Sequence, residues 1–160
     1  MKGCKTMYDN ILTNFPRLDG ETNDSPRIQR AIDATENGIL CIPKGDYELE
    51  ETIYIKNCCS LDMHPAARLI AKVQMEFVIE YCSDGNYHAL TLFDEEGNVY
   101  DNLGLFVRGG DIDGNGLASC FAITNAHHFT ITNAELILSR MVKNINCKQK
   151  TCVVRQEKQE

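Results

Sequence analysis

Apolar and polar residues alternate in short runs along much of this chain, as in Ile53-x-Ile55, Leu61-x-Met63, Phe121-x-Ile123 and Phe129-x-Ile131. A period of two sends one set of side chains inward and the other outward, the pattern of half-buried strands. The runs also repeat. Residues 105–112 and 129–136 match 24 positions apart: Leu105 with Phe129, Val107 with Ile131, Asp111 with Glu135 and Ile112 with Leu136, with Gly109 and Asn133 at the corner between the apolar pairs. A third copy lies 68 positions upstream of the second, with Ile53, Ile55, Asn57, Leu61 and Met63 falling on Phe121, Ile123, Asn125, Phe129 and Ile131. Three periods of roughly 23 residues account for that spacing, within the range of stacked-repeat architectures.

Strands of about three to five residues, broken by Gly and Asn, leave no room for a helix inside the repeat, so helical and helix-strand solenoids are excluded. What remains is a coil of three short strands, each lying beside its copy in the next coil in a parallel ladder. Asn57, Asn125 and Asn133 follow Ile-x pairs, where the chain must bend and Asn tolerates a left-handed backbone. Residues 20–46 read differently. Ser25 is the expected N-cap and Pro26 the first residue of a helix carrying an apolar stripe of Ile28, Ala31 and Ile32, with Ile39 a further candidate for that stripe and Asn37-Gly38 able to end the helix. Ile39-Leu40-Cys41-Ile42 is then a buried strand closed by Pro43. Such a helix covers the open end of the first coil. The expected organisation is an N-terminal segment, capping helix and first strand over 1–46, coils over 47–138 and a basic tail over 139–160. A period near 23 gives about four coils, with turns at 84–86 and 94–98 and strands such as Phe77-Val78-Ile79 and Leu90-Thr91-Leu92.

The stretch Asp19-Gly20-Glu21-Thr22-Asn23-Asp24-Ser25-Pro26-Arg27-Ile28-Gln29-Arg30-Ala31-Ile32-Asp33, followed by Gly38-Ile39-Leu40-Cys41-Ile42-Pro43-Lys44-Gly45-Asp46-Tyr47, resembles the opening of the pectate-lyase-like superfamily. Gly109-Gly110-Asp111-Ile112-Asp113-Gly114-Asn115-Gly116 resembles a second landmark of the same families, and the resemblance covers roughly 15–138. It implies an all-β, right-handed parallel β-helix with an N-terminal capping α-helix. It also implies a relation to polygalacturonase-like glycoside hydrolases, polysaccharide lyases and tailspike depolymerases. Both landmarks are scaffold. The four catalytic motifs of polygalacturonase-like members, Asn-Thr-Asp, Asp-Asp, Gly-His-Gly and Arg-Ile-Lys, do not occur in this chain.

Glycoside hydrolysis needs two carboxylates on one groove wall, one protonated and one ionised. On the strand through Phe121 and Ile123 the outward positions are Ala122 and Thr124, neither of which titrates. Asp111 and Asp113 are the best carboxylates left, on one strand face by their i, i+2 spacing. Asp113-Gly114-Asn115-Gly116 also reads as a turn in which Asp bonds its own backbone, and that structural reading outweighs the catalytic one. Arg108 lies outward beside them, in reach of an acidic sugar, of Asp111 or of a neighbouring coil. With Thr132 and Thr124 it lines a candidate substrate groove. His127 and His128, an adjacent pair, point to opposite faces of a strand and read better as turn residues than as ligands; His127 is kept as a substrate-binding candidate, and no metal or cofactor is expected.

Composition fits one domain, with a net charge of −7 and a pI near 5.1. So acidic a surface argues against nucleic acid, and no segment has the apolar length of a membrane span. Residues 139–160 carry a net +4, which leaves −11 for 1–138. Eight cysteines show no Cys-x-x-Cys spacing, and residues 1–10 show no apolar signal core. The expected compartment is therefore the reducing cytoplasm, although the relatives implied by the resemblance include extracellular proteins. Cys41 and Cys120 read as core residues, while reactivity at Cys58-Cys59 turns on exposure. After Leu138 the repeat stops, and the tail offers a strand at Cys152-Val153-Val154, a docked cap or partial disorder. The resulting expectation is an incomplete N-terminal portion of a polysaccharide-degrading β-helix, truncated before its catalytic coils and without turnover by itself. The alternative is a non-catalytic module of tailspike type that binds acidic or neutral polysaccharide or self-associates through an uncapped C-terminal end.

Overall fold

The structure, a computed structural model, describes residues 8–57, 59–82, 90–93, 99–103, 106–124, 130–138 and 151–156, with side chains described at 8–57, 59–81, 106–122 and 131. In chain order the elements are β1 (Asn10–Ile11), a 3-10 turn (Leu12–Asn14), α1 (Ser25–Asp33), β2 (Ile39–Ile42), β3 (Gly45–Leu49) and β4 (Ile53–Ile55). There follow β5 (Ser60–Met63), β6 (Ala67–Ala71), β7 (Phe77–Cys82), β8 (Leu90–Phe93), β9 (Val99–Leu103) and β10 (Phe106–Arg108). The last are β11 (Asp111–Asp113), β12 (Ser119–Thr124), β13 (Thr130–Leu138) and β14 (Thr151–Gln156).

These strands form a short parallel β-helix. The first stack runs β1, β2, β5, β10 and the start of β13; the second runs β3, β6, β11, the end of β13 and β14; the third runs β4, β7 and β12. β13 turns a corner and belongs to the first two stacks. Among the described residues β2–β4, β5–β7 and β10–β12 make three coils and β13 begins a fourth, but Ile53 and Phe121 are two coil steps apart, of 26 and 42 residues, and not three periods of roughly 23, because the hairpin of β8 and β9 lies in the second step. Inward columns show why the stack holds. Leu40, Leu61, Val107 and Ile131 are successive register partners, all buried, as are Tyr47, Leu69 and Ile112 in the second stack. In the third, Ile53 and Ile79 lie in register with Phe121, the largest fully buried side chain among the described residues.

The 24-residue echo is the register itself: Val107 pairs with Ile131, Asp111 with Glu135 and Ile112 with Leu136. Leu105 and Phe129 lie outside the described residues. The third copy holds through the third stack, where Ile53 shares a column with Phe121 and Ile55 with Ile123. It then slips: Leu61 shares a column with Ile131, not Phe129. The corner from Ile55 to Leu61 spans six positions and the corner from Ile123 to Ile131 eight, so two more residues enter the later turn. Between coils two and three, β8 and β9 pair antiparallel outside the stacks. Alternation alone assigns a strand at Leu90–Phe93 but not the direction of its neighbour. In the tail, Thr151–Gln156 is a strand that extends the second stack.

Gly109 marks where two coils meet most closely. Its φ is +73°, and a Cβ there would collide with the Met63 carbonyl oxygen of the coil below. Only glycine satisfies both demands.

At the N-terminal end each stack begins with an edge whose backbone groups need partners. β1 pairs with Leu40 and Cys41 of β2. Asp24 serves the β3 edge: its N–H donates to the Glu48 carbonyl at 2.7 Å, and its carboxylate accepts from the Glu48 N–H at 2.9 Å. Gln29 serves the β4 edge, its amide donating to the Tyr54 carbonyl at 2.8 Å and accepting from the Tyr54 N–H at 2.9 Å. Beneath this polar seam Ile28, Ala31 and Ile32 are fully buried, the stripe expected of a lid.

The helix ends differ from the sequence reading. Asp24, not Ser25, occupies the N-cap, and neither side chain caps the helix. The Ser25 hydroxyl instead accepts from the N–H groups of Glu50 and Glu51 at 3.0 and 3.1 Å. Capping chemistry has been redirected to the coil below because those corner N–H groups have no strand partner. Asn37 is left-handed, with φ 52°, but the helix stops earlier with Ala34 as C-cap. The last helical carbonyls are met from outside: Asn57 donates to Ile32 at 2.7 Å, Thr35 to Ala31 at 2.6 Å and Asn10 to Ala34 at 3.1 Å.

Replacing Gln29 by Ala should cost about 1 kcal/mol, because both bonds to Tyr54 go while helix propensity improves slightly. Gln29→Glu keeps the shape but loses the donor and sets a charge beside the Tyr54 carbonyl, so it should cost more than Ala. Urea denaturation measures both. Equal costs would mean that side-chain bulk, not edge pairing, is what Gln29 supplies.

Candidate functional site

In a parallel stack each outward residue has its register partners directly above and below it, so the outer surface is organised in rows. On the first stack one row runs Cys41, Asp62, Arg108, Thr132. On the second, adjacent rows run Asp46, Arg68, Asp111, Glu135 and Glu48, Ile70, Asp113, Ile137. Like charges in direct register repel. Over the first three coils opposite charges meet in register instead, Asp62 against Arg108 and Arg68 between Asp46 and Asp111.

The alternation is realised as ion pairs. Arg108 holds Asp62 in a two-point pair, Nε to Oδ1 at 3.1 Å and a terminal nitrogen to Oδ2 at 2.7 Å, with its guanidinium 5.0 Å from the centre of the Phe106 ring. The Tyr8 hydroxyl also bonds Asp62. Burial pushes the Asp62 carboxyl up, but the Arg108 guanidinium and the Tyr8 hydroxyl outweigh it and leave it below the usual range. Tyr8 moves upward, first through its bond to Asp62. One coil-width away, Arg68 lies among three carboxylates: Asp113 at 3.2 Å, Asp111 at 3.7 Å and Asp46 at 3.9 Å. Lys72 pairs with Glu48 at 3.1 Å.

Asp113 is nearly buried, and both of its oxygens are engaged. Oδ1 accepts from the Asn115 N–H at 2.7 Å and Oδ2 bonds Arg68. The first is the turn bond expected of Asp-Gly-Asn-Gly, and Asn115 is left-handed with φ 52°. The Asn115 side chain then donates to the Ala71 carbonyl at 2.9 Å, tying the turn to the coil below. Arg108 was in reach of a sugar, of Asp111 or of a neighbouring coil, and its partner is Asp62 of the neighbouring coil.

The other candidates are spread over the surface. Thr132 follows Arg108 in the first-stack row. Thr124 pairs with Cys82 on the third stack, so it shares no sheet with Arg108 or Asp111. His127 and Cys58 lie outside the described residues. The structure therefore joins Asp111 with Asp113 around Arg68 and aligns Arg108 with Thr132, and it does not gather Arg108, Asp111 and Thr124 in one sheet face. Asp62, Arg68 and Tyr8 escape sequence reasoning because their positions across from Arg108 and Asp113 appear only when the 21-to-46-residue spacing between coils is known. Among the described residues no group of three or more His, Cys, Asp or Glu is placed to hold a metal ion, and no helix is long and apolar enough to cross a membrane.

No family model, curated protein or solved structure matches this chain. The β-helix assignment thus rests on the strand register alone.

Cys59 is 1% exposed, and burial pushes its thiol up to about 12. Cys120 is equally enclosed and its Sγ lies 3.2 Å from the Ile112 carbonyl oxygen. Cys41 is partly exposed on the Asp62 row. At pH 8 an alkylating reagent should modify Cys41 in the folded protein and leave Cys59 untouched until the chain unfolds, which peptide mass spectrometry reads directly. Labelling of Cys59 at the rate of Cys41 would show that the first corner opens in the native state.

A double-mutant cycle on Asp62→Ala and Arg108→Ala should give a coupling of about 0.5–1 kcal/mol, since the arginine is close to half exposed. A coupling of zero would mean that the pair's geometry carries no energetic weight.

Proposed function

We propose that this chain forms the sealed end of a polysaccharide-handling β-helix, of the polygalacturonase-like hydrolase or polysaccharide lyase kind that its sequence resembles, and that it has no turnover by itself. The observation carrying the second half is the state of its two best carboxylates. A glycosidase pair needs one carboxyl free to donate a proton and another free to attack or to activate water. Asp113 is nearly buried and committed through both oxygens, and Asp111 leans on the same guanidinium. The first half draws support from the scaffold: a parallel β-helix with a helical lid, presenting polar outward rows to solvent. The ligand class is an acidic or neutral polysaccharide, met through polar outward residues such as Arg108.

Incubation with polygalacturonate and with neutral glucans should yield neither new reducing ends nor unsaturated uronates, while affinity electrophoresis in the same polymers should retard the protein. Product release abolished by Asp111→Asn or Asp113→Asn would overturn the view that these groups are structural. Unretarded migration in every polymer would remove the carbohydrate reading.

A further inference from the structure

Asparagine followed by glycine occurs twice in this chain, at Asn37-Gly38 and at Asn115-Gly116. Asparagine is a thermolabile residue, and a following glycine, with no Cβ, leaves its own nitrogen open to the asparagine side chain. Both asparagines are exposed and left-handed, each with φ 52°. In neither turn does a described group accept from the glycine N–H. The backbone thus treats the two alike, and the side chains separate them. The Asn115 amide donates to the Ala71 carbonyl at 2.9 Å, while its main-chain N–H is held by Asp113 at 2.7 Å. The Asn37 N–H donates to the Asn57 carbonyl at 2.9 Å, but the Asn37 amide group bonds no described residue.

We propose that Asn37-Gly38 is a site of spontaneous isoaspartate formation, and that the conversion loosens the corner joining the α1 lid to β2. The Gly38 nitrogen gives its proton to hydroxide and attacks Cγ of Asn37. The bond from Cγ to Nδ2 breaks, and Nδ2 takes a proton from water and leaves as ammonia. A five-membered succinimide remains. Water then opens the ring. Attack at the main-chain carbonyl carbon gives isoaspartate, with the chain rerouted through Cβ and Cγ, and attack at Cγ gives aspartate. Water is the co-reactant, and nothing is oxidised or reduced. At Asn115 the bond to Ala71 must break before Cγ can swing toward Gly116, which slows the same step about fivefold.

The isoaspartate linkage lengthens the main chain by one methylene, about 1.5 Å. It does so between the two bonds that fix this corner, from the Asn37 N–H to the Asn57 carbonyl and from the Ser60 N–H to the Gly38 carbonyl, each 2.9 Å. The added length has nowhere to go. Gly38 is buried, and a Cβ on it would lie 2.7 Å from Asp9 Oδ2, the atom that also accepts from the Ile39 N–H at 2.8 Å. One of the two corner bonds must therefore give way, and losing one hydrogen bond makes local opening about fivefold more frequent. Cys59, next to Ser60 and 1% exposed, reports that opening.

The test stores the full chain at pH 8 under a reducing agent, folded in one sample and unfolded in urea in another. Peptide mass spectrometry with electron-transfer fragmentation, which separates isoaspartate from aspartate, reads positions 37 and 115 over time. In the folded sample position 37 should convert about fivefold faster than position 115 or more, with isoaspartate as the larger product. In urea no turn bond survives, and the two rates should converge. Alkylation of Cys59 should then be about fivefold faster in the aged folded protein than in fresh protein. Asn37→Gly keeps the left-handed turn and lacks the amide, so its Cys59 should stay closed through the same storage. The proposal fails if Asn115 converts as fast as Asn37 in the folded chain, or if position 37 yields aspartate alone. It fails equally if ageing leaves Cys59 labelling unchanged, or if stored Asn37→Gly exposes Cys59 as the parent does.

Discussion

The described residues ahead of Ile39 answer to one constraint: a stack of parallel strands has a first member, and its outer backbone groups must bond something other than another coil. An unpaired buried polar group costs about 1–3 kcal/mol, comparable to a large part of a small domain's net stability. Three sheets start here, and three different devices meet them: a two-residue strand on β2, the Asp24 main chain and carboxylate on β3, and the Gln29 amide on β4. A side chain suffices for β4 because that strand has only three residues, of which Tyr54 alone points its N–H and C=O at the lid. The helix is therefore placed by polar reach as much as by its apolar stripe. Its C-terminal carbonyls are met by Asn57 and Asn10 from elements it covers.

Register imposes the second constraint. Inward columns tolerate repetition, since apolar on apolar is what a core requires. Outward rows do not tolerate repeated charge, so Asp46, Arg68 and Asp111 alternate, and Asp62 faces Arg108. The same guanidiniums that make the surface compatible with stacking occupy the carboxylates that chemistry would need. Structure and reactivity compete for the same side chains here.

How much of this was legible in the sequence follows from which interactions are periodic. The strands, the stripe of Ile28, Ala31 and Ile32, and the pairing of Val107 with Ile131 all recur at fixed spacing and could be read off. The slip at Leu61 could not, because a corner longer by two residues leaves no mark on alternation. Nor could the antiparallel hairpin of β8 and β9, whose strands look like any others. At the site, the turn bond of Asp113 to Asn115 is local and was readable from Asp-Gly-Asn-Gly. The bond of Asp113 to Arg68 spans 45 positions across an inserted hairpin, and no local pattern announces it. Ser25 shows a subtler limit, since a good N-cap residue follows the strongest unmet donors, and these lie in the coil below.

In the row of Asp46, Arg68 and Asp111 the alternation ends at the next register position. Asp111 is in direct register with Glu135, an acid above an acid, between the third and fourth coils. Below it Arg68 can satisfy Asp111, but that guanidinium is already divided among three carboxylates, and each distance from 3.2 to 3.9 Å is longer than the two-point contact of Arg108 with Asp62. A cation shared three ways binds each partner less well than one committed to a single carboxylate. The second stack thus shares one guanidinium among Asp46, Asp111 and Asp113, whereas in the first stack Asp62 and Arg108 have closed on each other.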